Sequence, residues 1–227
     1  MNRTLFLLLL SLSILFPLST GISLATPVDP RVLALALKMG SAFKSLEDYN
    51  CEVEQIFYKD GSENERSTFK FYFKKEKKIR VDFSHPYPSL TLIHIEGEDK
   101  ATVIPFRSLP LLRFRFSIND SKLKTRAGQR IDQTDMGYFI HFVLKNLESI
   151  PQGDSEFRED EEGPVFSLRA LDYVDGKILE KYRIHLSQEV WLPIRIERFD
   201  LKGKPIEITV IKDYAVNTHP DDKLFHP

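Results

Sequence analysis

The sequence predicts an α+β fold, an antiparallel β-barrel or unclosed (half) β-barrel of about ten to eleven strands with helices covering its concave face. Three observations carry that expectation. Short runs of alternating apolar and polar residues follow one another over residues 49–118 and again over 165–214; such alternation marks strands with one buried and one wet face. Two stretches, 31–46 and 132–149, switch to a helical period. Ten or so antiparallel strands exceed a comfortable flat sheet and should curl, and helices apolar on one side must cover something.

In chain order, Met1-Asn2-Arg3 leads into an apolar run over residues 5–18, followed by Ser19-Thr20-Gly21 and Ser23-Leu24-Ala25. One positive charge, an apolar core and small residues at the first and third positions of the last tripeptide describe a secretory signal cleaved after Ala25. The rival reading is a retained anchor, but the 5–18 run falls short of the roughly 20 residues that span a bilayer. The expected organisation is a signal peptide at 1–25 and one domain at 26–227, long enough for a real core. The lone cysteine, Cys51, lies too far past the cut for a lipid anchor and has no partner for an internal disulfide. Its place in an alternating apolar stretch fits a buried structural thiol. The full chain has a net charge of −1. Losing Arg3 with the signal makes it slightly more negative, which argues against a nucleic-acid partner held by a positive field.

Asp29 and Pro30 fit the start of the first helix, with Val32, Leu33, Leu35, Ala36, Met39, Phe43 and Leu46 near helical spacing. The strands follow. Residues 49–58 place Cys51, Val53, Gln55 and Phe57 on one face and Glu52 and Glu54 on the other, and Asp60-Gly61 marks a turn. Residues 65–74 align Phe69, Phe71 and Phe73; residues 78–83 align Ile79, Val81 and Phe83. Further strands are expected at 89–95, 100–105 and 111–118. The second helix, 132–149, gathers Met136, Ile140, Val143, Leu144 and Leu147 on one side, with Asp132 or Thr134 as its cap. Residues 152–163, with Glu159-Asp160-Glu161-Glu162, read as a charged loop. Strands resume at 165–173, 179–186, 192–199 and 206–214.

No catalytic constellation emerges. There is no nucleophile elbow, zinc-protease helix, paired-cysteine motif or phosphate-cradling glycine loop. The six histidines (His85, His94, His141, His185, His219 and His226) are scattered, with no two at metal-ligand spacing on one element. The chain is therefore read as non-enzymatic, without cofactor or metal. What remains is an apolar interior, with 17 Phe. It has two readings. The Phe-rich strands either fill the core, or line a hydrophobic cavity lidded by the helices, in which an acyl chain gains about 0.8 kcal/mol per buried methylene. On the second reading the lining is Val53, Phe57, Phe69, Phe71, Phe73, Ile79, Val81 and Phe83 from the strands, with Met136, Ile140, Val143, Leu144 and Leu147 from the second helix.

The layout resembles the bacterial periplasmic lipoprotein-carrier superfamily, the LolA-like proteins with LolB and RseB as relatives. The resemblance spans nearly the whole mature chain. It rests on Tyr49-Asn50-Cys51-Glu52-Val53-Glu54-Gln55, on the run from Phe69 to Asp82, on Trp191-Leu192-Pro193-Ile194-Arg195-Ile196-Glu197, on Phe199-Asp200-Leu201-Lys202-Gly203-Lys204-Pro205, and on the ending Asp213-Tyr214-Ala215-Val216-Asn217 with Asp222 and Phe225. No one motif is specific; their order and spacing together carry the likeness. The resemblance implies a periplasmic monomer that shields lipid or lipoprotein acyl chains between an inner-membrane donor and an outer-membrane acceptor. It also implies an Arg-Pro pair after the Phe-rich strand that helps hold a lid closed. Here the pair is Lys75-Glu76, which keeps the charge but not the planar fork. The stretch 108–133 is basic, and Arg113, Arg115, Arg126 and Arg130 either form a solvated face or meet an anionic headgroup or acidic partner. Beside the carrier stand two other classes, a sensing or interaction module of the envelope and, more weakly, an exported hydrolase. A regulator of the RseB type carries a second C-terminal domain, and this chain ends soon after its last strand.

Overall fold

The computed structural model describes residues 28–149, 155–172 and 176–226. The expected signal segment, 1–25, lies outside the described residues, as does the start of the expected charged loop.

The first helix, α1 (Pro30–Ser45), begins as its sequence predicts: the Asp29 carboxylate accepts from the Arg31 N–H at 2.9 Å, and Pro30 sits in the first turn. Val32, Ala36 and Met39 recur at helical spacing and are fully buried. Eleven strands follow: β1 (Asp48–Lys59), β2 (Ser62–Lys74), β3 (Lys78–His85), β4 (Thr91–His94), β5 (Lys100–Ile104) and β6 (Phe114–Ser117), then, after α2 (Met136–Ser149), β7 (Glu156–Asp160), β8 (Gly163–Leu171), β9 (Leu179–Leu186), β10 (Pro193–Phe199) and β11 (Pro205–Val216). The β1–β2 hairpin turns on Asp60 and Gly61, both at positive φ, as an Asp-Gly two-residue turn requires.

All the strands form one antiparallel sheet in the order β6-β5-β4-β3-β2-β1-β11-β10-β9-β8-β7. The first and last strands pair at its centre. The two free edges, β6 and β7, are consecutive in sequence and are held apart by the segment containing α2. This is the unclosed half-barrel expected, its opening set where the chain leaves the sheet to build a helix.

Two expectations need correction. The acidic run 159–162 is not all loop, because Glu159 and Asp160 end strand β7 and only Glu161 and Glu162 turn towards β8. An edge strand with one half-buried residue, Phe157, carries no apolar alternation, and charges protect such an edge from pairing with another chain. The second helix begins at Met136 rather than 132. Its cap is neither Asp132 nor Thr134 but Asp135, whose Oδ1 accepts from the Tyr138 N–H at 3.2 Å.

The core is asymmetric. Both helices pack on the concave face over β7–β9, where Val32, Ala36, Met39 and Val143 meet Phe166, Leu168, Tyr182 and Ile184, and Phe43 of α1 reaches Tyr49 and Phe73 on β1 and β2. Gly137 lets the start of α2 approach α1, since a Cβ there would lie 2.6 Å from the Phe43 ring. On the convex face the C-terminal tail is strapped to the sheet. Phe225 is buried against Ile93 and Ile104, and Asp222 pairs with Lys74 at 2.6 Å and Lys78 at 3.0 Å. The two ammonium groups hold the Asp222 carboxyl at about 2.

Candidate functional site

The concave face from β6 across β1 to β11 and the edge of β10 is not filled by the helices. Register brings its inward side chains into rows, with Val53 opposite Phe69 and Ile211, Cys51 opposite Phe71, Phe71 opposite Val81, and Val81 opposite Leu92. These rows wall a cavity of about 710 Å³. Its roof is a strap, residues 121–135, running from β6 to α2 through two single 3₁₀ turns, Ser121–Leu123 and Ile131–Gln133. Leu123 and Ile131 are the strap's buried apolar residues and face the cavity.

The strap is tied within itself more than to the barrel. Thr125 and Gln129 bond reciprocally, and Arg130 grips Asp132 through two hydrogen bonds of 2.9 and 2.7 Å. To the barrel it makes an ion pair between Arg126 and Glu65, and at its end the Met136 N–H donates to the Tyr49 hydroxyl at 3.1 Å. Lys77 stands 3.8 Å from the Asp135 Oδ2, an ion pair outside hydrogen-bond reach, and that oxygen has no hydrogen-bond partner among the described residues. Burial, opposed by Lys77 and by backbone N–H groups, pushes the Asp135 carboxyl above its ordinary value.

The structure sorts the expected lining into two groups. Val53, Phe57, Phe69, Phe71, Val81, Phe83 and Met136 face the cavity. Phe73, Ile79, Ile140, Val143, Leu144 and Leu147 do not; they belong to the packed core. The reason lies in the helix positions. Phe73 stacks on Tyr49 and lies tilted against Phe43 of α1, with ring centroids 5.1 and 5.6 Å away, and beyond its first turn α2 packs on α1 and β8. The lid is thus the strap with the first turn of α2, Met136 and Phe139, rather than the two helices.

The expected basic contacts also divide. Arg126 lines the cavity. Arg115 pairs with Glu98 on β5's approach, Arg130 bonds Asp132 within the strap and Asn119 just before it, and Lys75 pairs with Glu47 at 2.8 Å; none of these, nor Arg113, lies in the lining. Lys77, from the same turn as Lys75, is the residue that approaches the strap. Tyr87, Ser121, Lys122, Lys124 and Arg126 are the exposed members of the lining and mark where the cavity opens.

Sequence reading missed the polar end of the cavity. Arg198, Glu207, Gln55 and Thr209 form part of its wall. The buried Arg198 guanidinium reaches Glu180 through two hydrogen bonds of 3.0 Å and also donates to Glu207; Tyr182 donates to Glu180 at 2.9 Å, and Thr209 to Glu207 at 3.2 Å. The signal was present in the strands themselves: Glu180 shares the parity of Tyr182, Ile184 and Leu186, which is the buried parity of β9. Cys51 is buried in the wall, and desolvation pushes its thiol up to about 12, so it is a packing residue and not a nucleophile. Among the described residues no group of three or more His, Cys, Asp or Glu side chains could hold a metal ion. None of the described helices is long and apolar enough to cross a membrane.

No protein-family model and no curated protein matches the chain. Solved structures do. MucB aligns over 88% of this chain and 64% of its own at a TM-score of 0.53 and 9% identity. The Pseudomonas aeruginosa MucA/MucB complex gives 0.50 at 10% identity, with 86% of this chain and 60% of that one covered. A LolA superfamily protein from Nitrosomonas europaea aligns over 86% of this chain and 96% of its own, at 0.38 and 10%. The open antiparallel sheet with its two helices is therefore a fold that this chain shares with MucB. At these identities the likeness is one of fold.

Proposed function

We propose that the protein is a non-enzymatic periplasmic carrier or chaperone that holds the acyl chains of a lipid or lipoprotein in this cavity and moves them towards the outer membrane. The observation that carries the reading is the cavity itself: apolar and aromatic side chains presented by successive strands, under a strap tied down at few points. A preformed apolar cavity supplies affinity, and a roof that can lift allows entry and release. Its volume of about 710 Å³ is nearly five times the roughly 150 Å³ that takes up benzene, space for roughly 25–30 carbon atoms. That matches one or two acyl chains rather than three. The leader-like segment 1–25 supports export, and donor and acceptor proteins in the two membranes would be its partners.

Native mass spectrometry of protein released gently from an exporting host tests this directly. The expected result is a single adduct of lipid mass per chain, exchangeable for a fluorescent acyl probe. Protein that carries no lipid and takes up no probe would refute the reading.

A second reading, a lipid- or protein-sensing module of the envelope, is favoured by the likeness in fold to MucB, which has been solved in complex with MucA. Failure to move lipid between two liposome populations, together with capture of a membrane regulator, would select it over the carrier.

A further inference from the structure

Six of the eleven large apolar side chains exposed among the described residues lie in one short region. They are Tyr87, Phe106, Leu109, Leu111, Leu112 and Phe114, with Leu111 92% exposed. The others are spread over the surface. The region is built, not frayed. Leu109 and Leu112 close successive turns by donating to Phe106 and Leu109 carbonyls at 2.9 Å, and the β5–β6 loop is pinned to the β3–β4 loop by the Arg107 N–H on the Ser89 carbonyl at 3.1 Å. An ordered loop that keeps Leu111 in water forgoes burial that any inward turn would have gained.

We infer that this loop pair is a docking surface for an anionic lipid bilayer, holding the cavity mouth against the membrane. Charge complementarity selects that occupant. Residues 106–118 contain three arginines and no acidic residue, interleaved with the apolar tips; Arg115 is paired with Glu98 from the neighbouring loop. Arg107 spends its guanidinium on the Phe83 and Leu90 carbonyls, so its charge is not cancelled by a carboxylate in those contacts. Apolar side chains that enter the acyl boundary, flanked by cations at headgroup level, are the composition of an interfacial anchor. The surface is continuous with the cavity, because Tyr87, Leu90 and Phe116 line it and Phe114 neighbours Phe116 at 6.4 Å between ring centroids. Lys122 and Lys124 extend the positive rim across the mouth.

The docking surface stands whatever the cavity holds, and the two are separable by experiment. Sedimentation with phosphatidylglycerol–phosphatidylethanolamine vesicles is compared for the wild-type chain and a Leu111→Ser/Leu112→Ser variant. The two are prepared alike, so that any contribution of residues 1–27 is common to both. The inference predicts binding by the wild type that weakens in high salt and is at least about tenfold weaker in the variant, with acyl-probe uptake and the melting midpoint unchanged. A Leu111→Trp variant should give a blue-shifted emission on the same vesicles. Wild-type protein that ignores these vesicles, as it would if the patch seated a protein, or a double variant that binds them equally, would overturn it. Wild-type protein that binds the vesicles but takes up no acyl probe would instead count against the cavity reading alone.

Discussion

Arg198 shows why individual residues were only partly legible. Alternation correctly placed Cys51, Val53 and Phe57 inward, because apolar parity and burial agree there. It assigns charged residues to the wet face, and so it passes over Arg198, Glu180 and Glu207, whose pairing depends on neighbours 18 and 9 residues away on adjacent strands. Replacing Arg198 by Leu leaves two buried carboxylates without their cation and should cost about 3–5 kcal/mol of stability; a denaturant midpoint shift worth less than about 1 kcal/mol would contradict the geometry. Asp135 makes a second prediction. As a cap it is replaceable by Asn, while Ala should cost about 1 kcal/mol. Because burial raises its folded-state value, the native chain binds the proton more readily than the unfolded one, and stability falls as pH rises through that window. Asp135→Asn should therefore be at least as stable as wild type at neutral pH, and its advantage should vanish as pH falls towards 3.8, the ordinary carboxyl value. Melts at a series of pH values check the sign.

At the scale of elements, strands with two distinct faces declared themselves and the others did not. β1, β2 and β3 were readable from alternation and the Asp60-Gly61 turn. β7 was not, since an edge strand with Phe157 as its one half-buried side chain has no period to detect. The strap was also hidden. Its structure comes from side-chain-to-backbone bonds within 125–133, and its role as a roof comes from Leu123 and Ile131 meeting strands far away in sequence. For the same reason sequence reading gave the lid to the helices: α2 is apolar on one side, but that side is spent on α1 and β8. Removing the strap's plug tests its status as a separable element. Ile131→Ala should speed proteolytic nicking within 121–135 several-fold while secondary structure is retained, and bound acyl chain should restore protection. Cleavage spread evenly over the chain would show that the strap opens only with the whole fold.

At the scale of the molecule, the pairing of β1 with β11 puts the ends of the domain at the sheet's centre and its opening between β6 and β7. One part of the concave face is thereby sealed by helices, and the rest is left as a cavity beside the exposed loops. That the sheet curls was legible from strand number and helix amphipathicity, and its open form from the resemblance; the division of the interior into a filled and an empty part was not, because both parts present the same apolar parity. The claim that the empty part is an acyl site is tested most directly by equilibrium binding of a fluorescent acyl probe to wild-type protein and to Val53→Phe. Val53 sits between Phe69 and Ile211 in the wall, and the larger ring displaces about two methylenes of ligand, about 1.6 kcal/mol or roughly tenfold in affinity. The account predicts saturable one-to-one binding by wild type and about tenfold weaker binding by the variant at an unchanged melting midpoint. No saturable binding, or equal affinity in the two proteins, would contradict it.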